Sequence, residues 1–278
     1  MEYLFPETLK QAFTTLESEK SIRIIAGGTD LAVLFSEGVP MPDTLVDISR
    51  IGELSLVDVK DDVVLGGAVT IAEIAGCAEL PLSLRQGAAA IGSPQIRNVA
   101  TIGGNICNAS PCGDTLSPLV ALNAGFLLVK NGKERRVPAE EFFTGPKETI
   151  LEPGELLATV TIPARYRNGK SSFRMIGKRN GQVISQVNCA LWMVQKGNII
   201  EEIRICFGSV APVPLRCRDA ETFLTGKEAT EEYGAQAARL VREEISPIDD
   251  VRATQEYRLQ VAEGLFRDLF REAAGLEI

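Results

Sequence analysis

An α+β fold in two parts is what the sequence predicts, on three observations. A β-branched run breaks at a glycine pair and resumes as a second strand after a short helical stretch, the pattern of a parallel unit. Two later segments have the form of antiparallel hairpins, and the C-terminal stretch carries helical periodicity. At 278 residues and 45% hydrophobic, the chain can bury a substantial core, and its length corresponds to about two domains, a single large one being the alternative.

In chain order, Pro6 stands at a first helical turn and Leu9, Ala12, Phe13 and Leu16 share one face, predicting a helix over 6–18. Ser21 to Ala26 predicts a strand ending at Gly27-Gly28, Asp30 to Ser36 a short helix, and Thr44 to Ile48 the next strand. Val63 to Gly66 is a further strand. Thr70-Ile71-Ala72-Glu73 is a capping box that opens a helix, and a second helix covers Pro81 to Ile91. Asn131-Gly132 between Phe126–Val129 and Glu134–Val137 marks a hairpin, because both central residues must take positive φ. Leu156 to Ile162 continues the strand pattern up to Pro163, and the polar segment 164–172 is the best boundary candidate. Beyond it, Ser185–Gln195 and Ile199–Phe207 pair about Lys196-Gly197-Asn198, followed by helices near 218–225, 229–245 and 250–273. In the last of these Tyr257, Val261, Leu265 and Leu269 form one stripe, expected to be a core face.

Composition narrows the chemistry. A net charge of −8 without a basic stripe disfavours nucleic acid as a partner. The start has no basic leader followed by an apolar run, and no stretch approaches the roughly 20 apolar residues that span a bilayer, so a cytoplasmic protein without membrane insertion is expected. With no histidine, Ser-His-Asp, Cys-His and histidine-ligated metal chemistries are excluded. The six cysteines are scattered without a CxxC pair and read as thiols. No catalytic or metal-ligating residue is assigned, and any catalysis must come mainly from a cofactor or other side chains.

A phosphate diester needs backbone N–H donors at close range, and glycine lets the chain approach without a side chain in the way. Gly27-Gly28, between a strand and a helix, fits that need. Thr29 can donate a hydroxyl, while Asp30, which repels phosphate, is expected to cap the helix or reach a ribityl hydroxyl. A tight turn without a ligand is the alternative. Thr101-Ile102-Gly103-Gly104-Asn105 repeats the formula and runs on through Asn108-Ala109-Ser110-Pro111 to Asp114. Neither loop is GxGxxG or a lysine-bearing P-loop, which disfavours a Rossmann site and an NTPase.

With Gly92-Ser93-Pro94-Gln95-Ile96-Arg97-Asn98 leading into the second pair, these motifs resemble the FAD-binding (medium) subunit of the molybdenum hydroxylase family, of the xanthine dehydrogenase and carbon monoxide dehydrogenase type. Asp249-Asp250-Val251-Arg252 and Tyr257-Arg258 extend the resemblance over nearly the whole chain. It implies a two-subdomain FAD-binding domain of the vanillyl-alcohol-oxidase-like (PCMH) type over 1–165, with subdomains about 1–55 and 56–165. A C-terminal antiparallel sheet with a helical bundle, of the carbon monoxide dehydrogenase flavoprotein type, then covers 166–278.

The resemblance also implies a site. Ala26, Gly27, Gly28, Thr29, Asp30 and Leu31, with Thr101, Ile102, Gly103, Gly104 and Asn105, hold the FAD diphosphate through backbone amides, and Ile24 and Ile25 lead into the first loop. Asp114 sits near the flavin end, Leu157 contacts the cofactor and Ile184 lies by the isoalloxazine face; ordinary core aliphatics are the alternative for the last two. Relatives carry a lysine shortly before a basic pair where this chain reads Phe173-Arg174-Met175-Ile176-Gly177-Lys178-Arg179, so Arg174 and Lys178 are both candidates to serve the flavin. The cysteines lack the grouping of an inserted iron-sulfur cluster. For Cys107 and Cys112 a redox or covalent flavin role stands beside that of bystander thiols.

By the same resemblance, a substrate is hydroxylated at a molybdopterin cofactor on a large subunit and electrons pass through two 2Fe-2S clusters on a small subunit. The flavin of this chain delivers them to NAD+ in the xanthine dehydrogenase type, or to a quinone or other carrier in the carbon monoxide dehydrogenase type. A flavin-free assembly subunit and a free-standing FAD oxidoreductase of the same fold class are the alternatives.

Overall fold

The computed structural model describes residues 1–17, 21–179 and 181–276. The first lobe is a parallel three-stranded sheet, built from β1 (Glu2–Leu4), α1 (Leu9–Leu16), β2 (Ile22–Ile25), α2 (Leu31–Ser36) and β3 (Thr44–Asp47) in strand order β1-β3-β2. The expected parallel unit is therefore present, with the fully buried β3 at its centre. Helix α1 starts later than expected because Thr8 rather than Pro6 sets its end: the Thr8 hydroxyl accepts from the Gln11 amide at 3.2 Å. The last residue of the expected helix, 18, lies outside the described residues.

The second lobe is an antiparallel five-stranded sheet with helices packed on it. A 3-10 turn (Gly52–Ser55) leads to β4 (Val57–Asp58), β5 (Val63–Gly66), α3 (Ile71–Gly76), α4 (Leu82–Ala90), α5 (Pro94–Arg97), α6 (Ile102–Asn108) and α7 (Leu116–Ala121). Then come β6 (Gly125–Lys130), β7 (Lys133–Pro138), α8 (Ala139–Phe142), β8 (Phe143–Gly145), β9 (Glu148–Thr149) and β10 (Leu156–Ile162), and the sheet order is β4-β5-β10-β6-β7. The capping box at Thr70 and Glu73 forms in full, and Asn131 and Gly132 take φ of 50° and 73° in the β6–β7 hairpin.

Within the polar segment 164–172 the chain makes a short helix, α9 (Ala164–Arg167), and already enters the next sheet. That sheet is antiparallel, in order β11 (Lys170–Ile176), β12 (Val187–Lys196), β13 (Ile199–Gly208) and β14 (Leu215–Arg216). Helices α10 (Arg218–Leu224), α11 (Glu231–Glu244) and α12 (Gln255–Ala274) follow as expected. Strand β12 is buried on both faces, which explains its unbroken apolar run. Cys189, Leu191 and Met193 face the C-terminal helices, while Ala190 and Trp192 join the core of the second lobe.

The expected stripe on α12 holds at Leu265 and Leu269, with Val261 partly buried against the same core, and fails at Tyr257. Tyr257 is 41% exposed, and the inward face is Arg258, Ala262, Leu265, Phe266, Leu269 and Phe270. Arg258 turns in because backbone carbonyls wait for it: its guanidinium donates to Gln186 O at 2.7 Å and Ser209 O at 2.9 Å, and pairs with Asp250 at 2.7 Å.

A second buried arginine ties the C-terminal sheet to the second lobe. Arg204 of β13 donates to Ala121 O at 2.7 Å, Val120 O at 3.0 Å and Asn123 Oδ1 at 3.1 Å, satisfying the last carbonyls of α7. Arg204→Met removes these donors and leaves the Ala121 carbonyl buried and unpaired, so the free energy of unfolding should fall by about 2–3 kcal/mol. The urea midpoint reads this, and an unchanged midpoint would show that other contacts hold the junction.

Candidate functional site

The turn after β2 and the start of α6 face each other across a cavity of about 670 Å3 at the seam of the first two lobes, a volume typical of small-molecule sites. Every expected residue of the first turn, Ile24, Ile25, Ala26, Gly27, Gly28, Thr29, Asp30 and Leu31, lines it. So do Thr101, Gly103, Gly104 and Asn105 of the second motif, and Leu157 of β10.

The first turn is shaped by two separate demands on its glycines. A Cβ at Gly27 would stand 1.9 Å from the Val99 carbonyl oxygen, so the two backbones can only touch without a side chain there. Gly28 takes φ +70°, which turns the chain from β2 into α2. Among the described residues, the amides of Gly27, Gly28 and Thr29 donate to no backbone carbonyl, and they stand in the cavity wall as available donors. Asp30 occupies the N-cap position of α2 in a helical conformation and makes no capping bond, so the capping role weighed for it is not realised.

The second glycine pair differs from the first: it forms the opening turn of a helix. Thr101 caps α6, its hydroxyl accepting from Gly104 N at 3.2 Å, while Ile102 N donates to Val69 O and Gly103 N to Gly67 O, both at 2.9 Å. Gly103 is a packing glycine, since its Cβ would lie 2.5 Å from Gly67 O, and a Cβ on Gly67 would in turn lie 2.3 Å from Leu157 O. Gly104 is different, meeting only Thr101 Oγ1 at 3.0 Å. The donor this wall offers is the Asn105 side chain, whose Oδ1 is taken by the Thr115 hydroxyl at 2.6 Å, leaving Nδ2 for a ligand.

Ile24, Ile91, Ile96, Leu156 and Leu157 add apolar surface to the same cavity. Unbonded amides, a side-chain amide donor, two glycine positions that a Cβ would fill, and apolar walls fit a dinucleotide: a diphosphate with ring systems at either end.

The remaining expected residues lie outside this cavity. Ile102 is fully buried in the core. Arg174 on β11 pairs with Asp268 at 3.6 Å and Glu272 at 3.0 Å, both on α12. Lys178 donates to Val251 O at 2.9 Å, and Ile184 is 52% exposed. Asp114, just before α7, is buried against the C-terminal sheet, where its Oδ1 accepts from the Ser185 hydroxyl and from Asn188 Nδ2 at 3.1 Å. Asn188 Oδ1 accepts in turn from Ser117 at 2.6 Å. Burial raises the Asp114 carboxyl from 3.8 to about 6, and the hydrogen bonds from Ser185 and Asn188 hold it back from rising further.

Sequence reasoning missed several wall residues. Lys147, from the turn between β8 and β9, carried no motif that pointed to it. Glu155 is a carboxylate in the wall, but Arg135 holds it with Nε and Nη2 at 2.7 Å each, and that hydrogen bonding keeps its pKa below the ordinary value. The pairing ties β7 to the turn just before β10 and leaves no spacing signal. Burial pushes the Cys107 thiol up to about 12, so it stands in the wall as a neutral thiol and not as a nucleophile. Among the described residues no cluster of three His, Cys, Asp or Glu could hold a metal, and no helix is long and apolar enough to cross a membrane.

Residues 1–165 match the family model described as the FAD binding domain in molybdopterin dehydrogenase, and residues 171–273 match the CO dehydrogenase flavoprotein C-terminal domain. The chain is 32% identical over 277 residues to the glyceraldehyde dehydrogenase medium chain of Sulfolobus acidocaldarius, with 98% of each covered. It is 31% identical over 267 residues to the carbon monoxide dehydrogenase medium chain of Hydrogenophaga pseudoflava, covering 94% of this chain and 92% of that one. A chain in the structure of quinoline 2-oxidoreductase from Pseudomonas putida 86 superposes with a TM-score of 0.92 at 26% identity, over 99% of this chain and 97% of that one.

The raised carboxyl of Asp114 gives a pH dependence of definite sign. A carboxyl whose pKa is higher folded than unfolded favours folding when protonated, and that contribution is lost as pH rises from about 4 through about 6. Between pH 5 and pH 7 the wild type should lose roughly 1 kcal/mol more stability than Asp114→Asn. Parallel urea titrations of the two proteins at pH 5, 6 and 7 measure the difference; identical slopes would place the Asp114 carboxyl at its ordinary value.

Proposed function

Because the chain belongs to the FAD-binding medium subunits of the molybdenum hydroxylase family, we propose that it is the electron exit of a complex of three kinds of subunit. In this reading a molybdopterin-binding large subunit holds the substrate and a small subunit relays electrons through 2Fe-2S clusters. This chain passes them through FAD to NAD+ or another acceptor. The observation that carries the reading is the seam cavity, in which unbonded turn amides and apolar walls share one space.

FAD, when bound, supplies the redox chemistry; the chain binds and orients it. The amides of Gly27, Gly28 and Thr29 and the Nδ2 of Asn105 donate to diphosphate oxygens, and the lack of a side chain at Gly28 and Gly104 lets those oxygens approach the backbone. Ile24, Ile25, Ala26, Leu31 and Leu157 pack against the rest of the dinucleotide. Asp114, Ile184 and either Arg174 or Lys178 serve the flavin end, beyond the cavity and toward the C-terminal sheet. The lack of histidine and the neutral Cys107 thiol support a non-covalent cofactor. All six cysteines are free thiols and no described helix suits a membrane, which supports a cytoplasmic complex.

Relatives named for glyceraldehyde, carbon monoxide and quinoline align with this chain over nearly its full length. The same subunit design accompanies unlike substrates, so the reading leaves substrate choice to the large subunit.

Purified chain should be yellow, carry one FAD and release it on denaturation; folded protein that stays colourless after incubation with FAD contradicts the reading. Gly28→Asp and Gly104→Asp each place a carboxylate beside the diphosphate and should weaken FAD retention at least about tenfold. Full flavin occupancy in either variant would put the phosphates elsewhere.

A further inference from the structure

Lys147 sits in the two-residue turn, with Pro146, that joins Gly145 to its partner Glu148 in the β8–β9 hairpin. Its φ is 66°, the left-handed position that such a turn normally gives to glycine or asparagine. The strained residue is held firmly. Its amide donates to Ala109 O at 2.9 Å, and its ammonium donates to Asn108 Oδ1 at 2.7 Å. Both acceptors belong to the end of α6, and both Lys147 and Asn108 line the seam cavity.

Asn108 follows Gly104 by four residues on α6, so the two share a helix face about 6 Å apart. The ammonium is therefore anchored one helical turn from Gly104, a glycine of the cavity wall. Its hydrogen-bond partner is neutral, and among the described residues no carboxylate lies within ion-pairing distance of it. The other cavity cation, Arg23, lies four residues before Gly27 on an extended strand, about 13 Å away along the chain. The two acids of the wall need no lysine: Glu155 is paired with Arg135, and Asp30 is exposed.

We propose that Lys147 is the counter-cation of the dinucleotide diphosphate, held ready by Asn108 and the strained turn. The inference rests on the FAD reading and adds to it the one charge that the amide donors lack. Two phosphate charges in a partly enclosed site need a cation within contact distance, and a lysine set on a short turn supplies it without a flexible loop having to close. The turn accepts an unfavourable backbone at this position in exchange for that placement.

Deflavinated full chain, titrated with FAD and with ADP as a competitor that carries the diphosphate without the flavin, tests this. Lys147→Met should weaken FAD and ADP by a similar factor, about 10- to 100-fold, with a shallower salt dependence of binding. Lys147→Arg should recover most of the affinity. Lys147→Gly relieves the strained φ, so it should melt no lower than wild type and still bind FAD weakly, which separates lost charge from lost fold. Riboflavin binding should not change. Unchanged FAD and ADP affinities in Lys147→Met, or a loss confined to riboflavin, would overturn the assignment while the FAD reading stands. A wild-type chain that binds no FAD would overturn both.

Discussion

Three backbone contacts made without side chains fix the cavity walls: one joins the first lobe to the second, and two lie within the second lobe. Gly27 lies against the Val99 carbonyl, Gly103 against that of Gly67, and Gly67 against that of Leu157. A methyl group at any of them would overlap a carbonyl oxygen, and backbone has little room to yield. This stack brings the turn after β2, the start of α6 and strand β10 into one wall system. The cavity is the space left where the lobes cannot close further. The geometry of the cavity thus follows from a packing constraint, and its glycines serve the fold before any ligand.

The C-terminal sheet extends the same logic with polar groups. Its strand β12 is buried on both faces, so the junction with the second lobe is part of one core. Within that core Arg204 closes the end of α7, and Asp114, Asn188, Ser117 and Ser185 form a buried network at its start. Buried networks of this kind are costly when half satisfied, and they fix relative placement more than they add stability. They set α7, and through the Thr115 hydroxyl the Asn105 amide, at a defined distance from the glycine turn.

Strong local signals in the sequence became the elements they announced. The capping box at Thr70, the Asn131-Gly132 turn and the strand that stops at Gly27 each state a local backbone requirement, and the structure obeys it. The edge strand β1 escaped notice because three residues carry no periodicity and gain their partner only from β3, more than forty positions on. The stripe on α12 holds at Leu265 and Leu269 but not at its first position, where buried carbonyls, invisible in sequence, draw Arg258 inward and leave Tyr257 exposed. At the site, the two glycine pairs looked alike but act differently: one offers amides, whereas the other bonds its amides to its own cap and to Gly67. Lys147 was illegible because its role comes from a turn folding onto the far end of α6.

Amide hydrogen exchange with and without FAD tests the central claim most directly, that the first turn provides the diphosphate donors while the second pair shapes the wall. The account predicts strong new protection at Gly27, Gly28 and Thr29 on adding FAD, with little change at Gly103, which is already bonded within the protein. New protection concentrated at Gly103 with none in the first turn, or none in either, would contradict it.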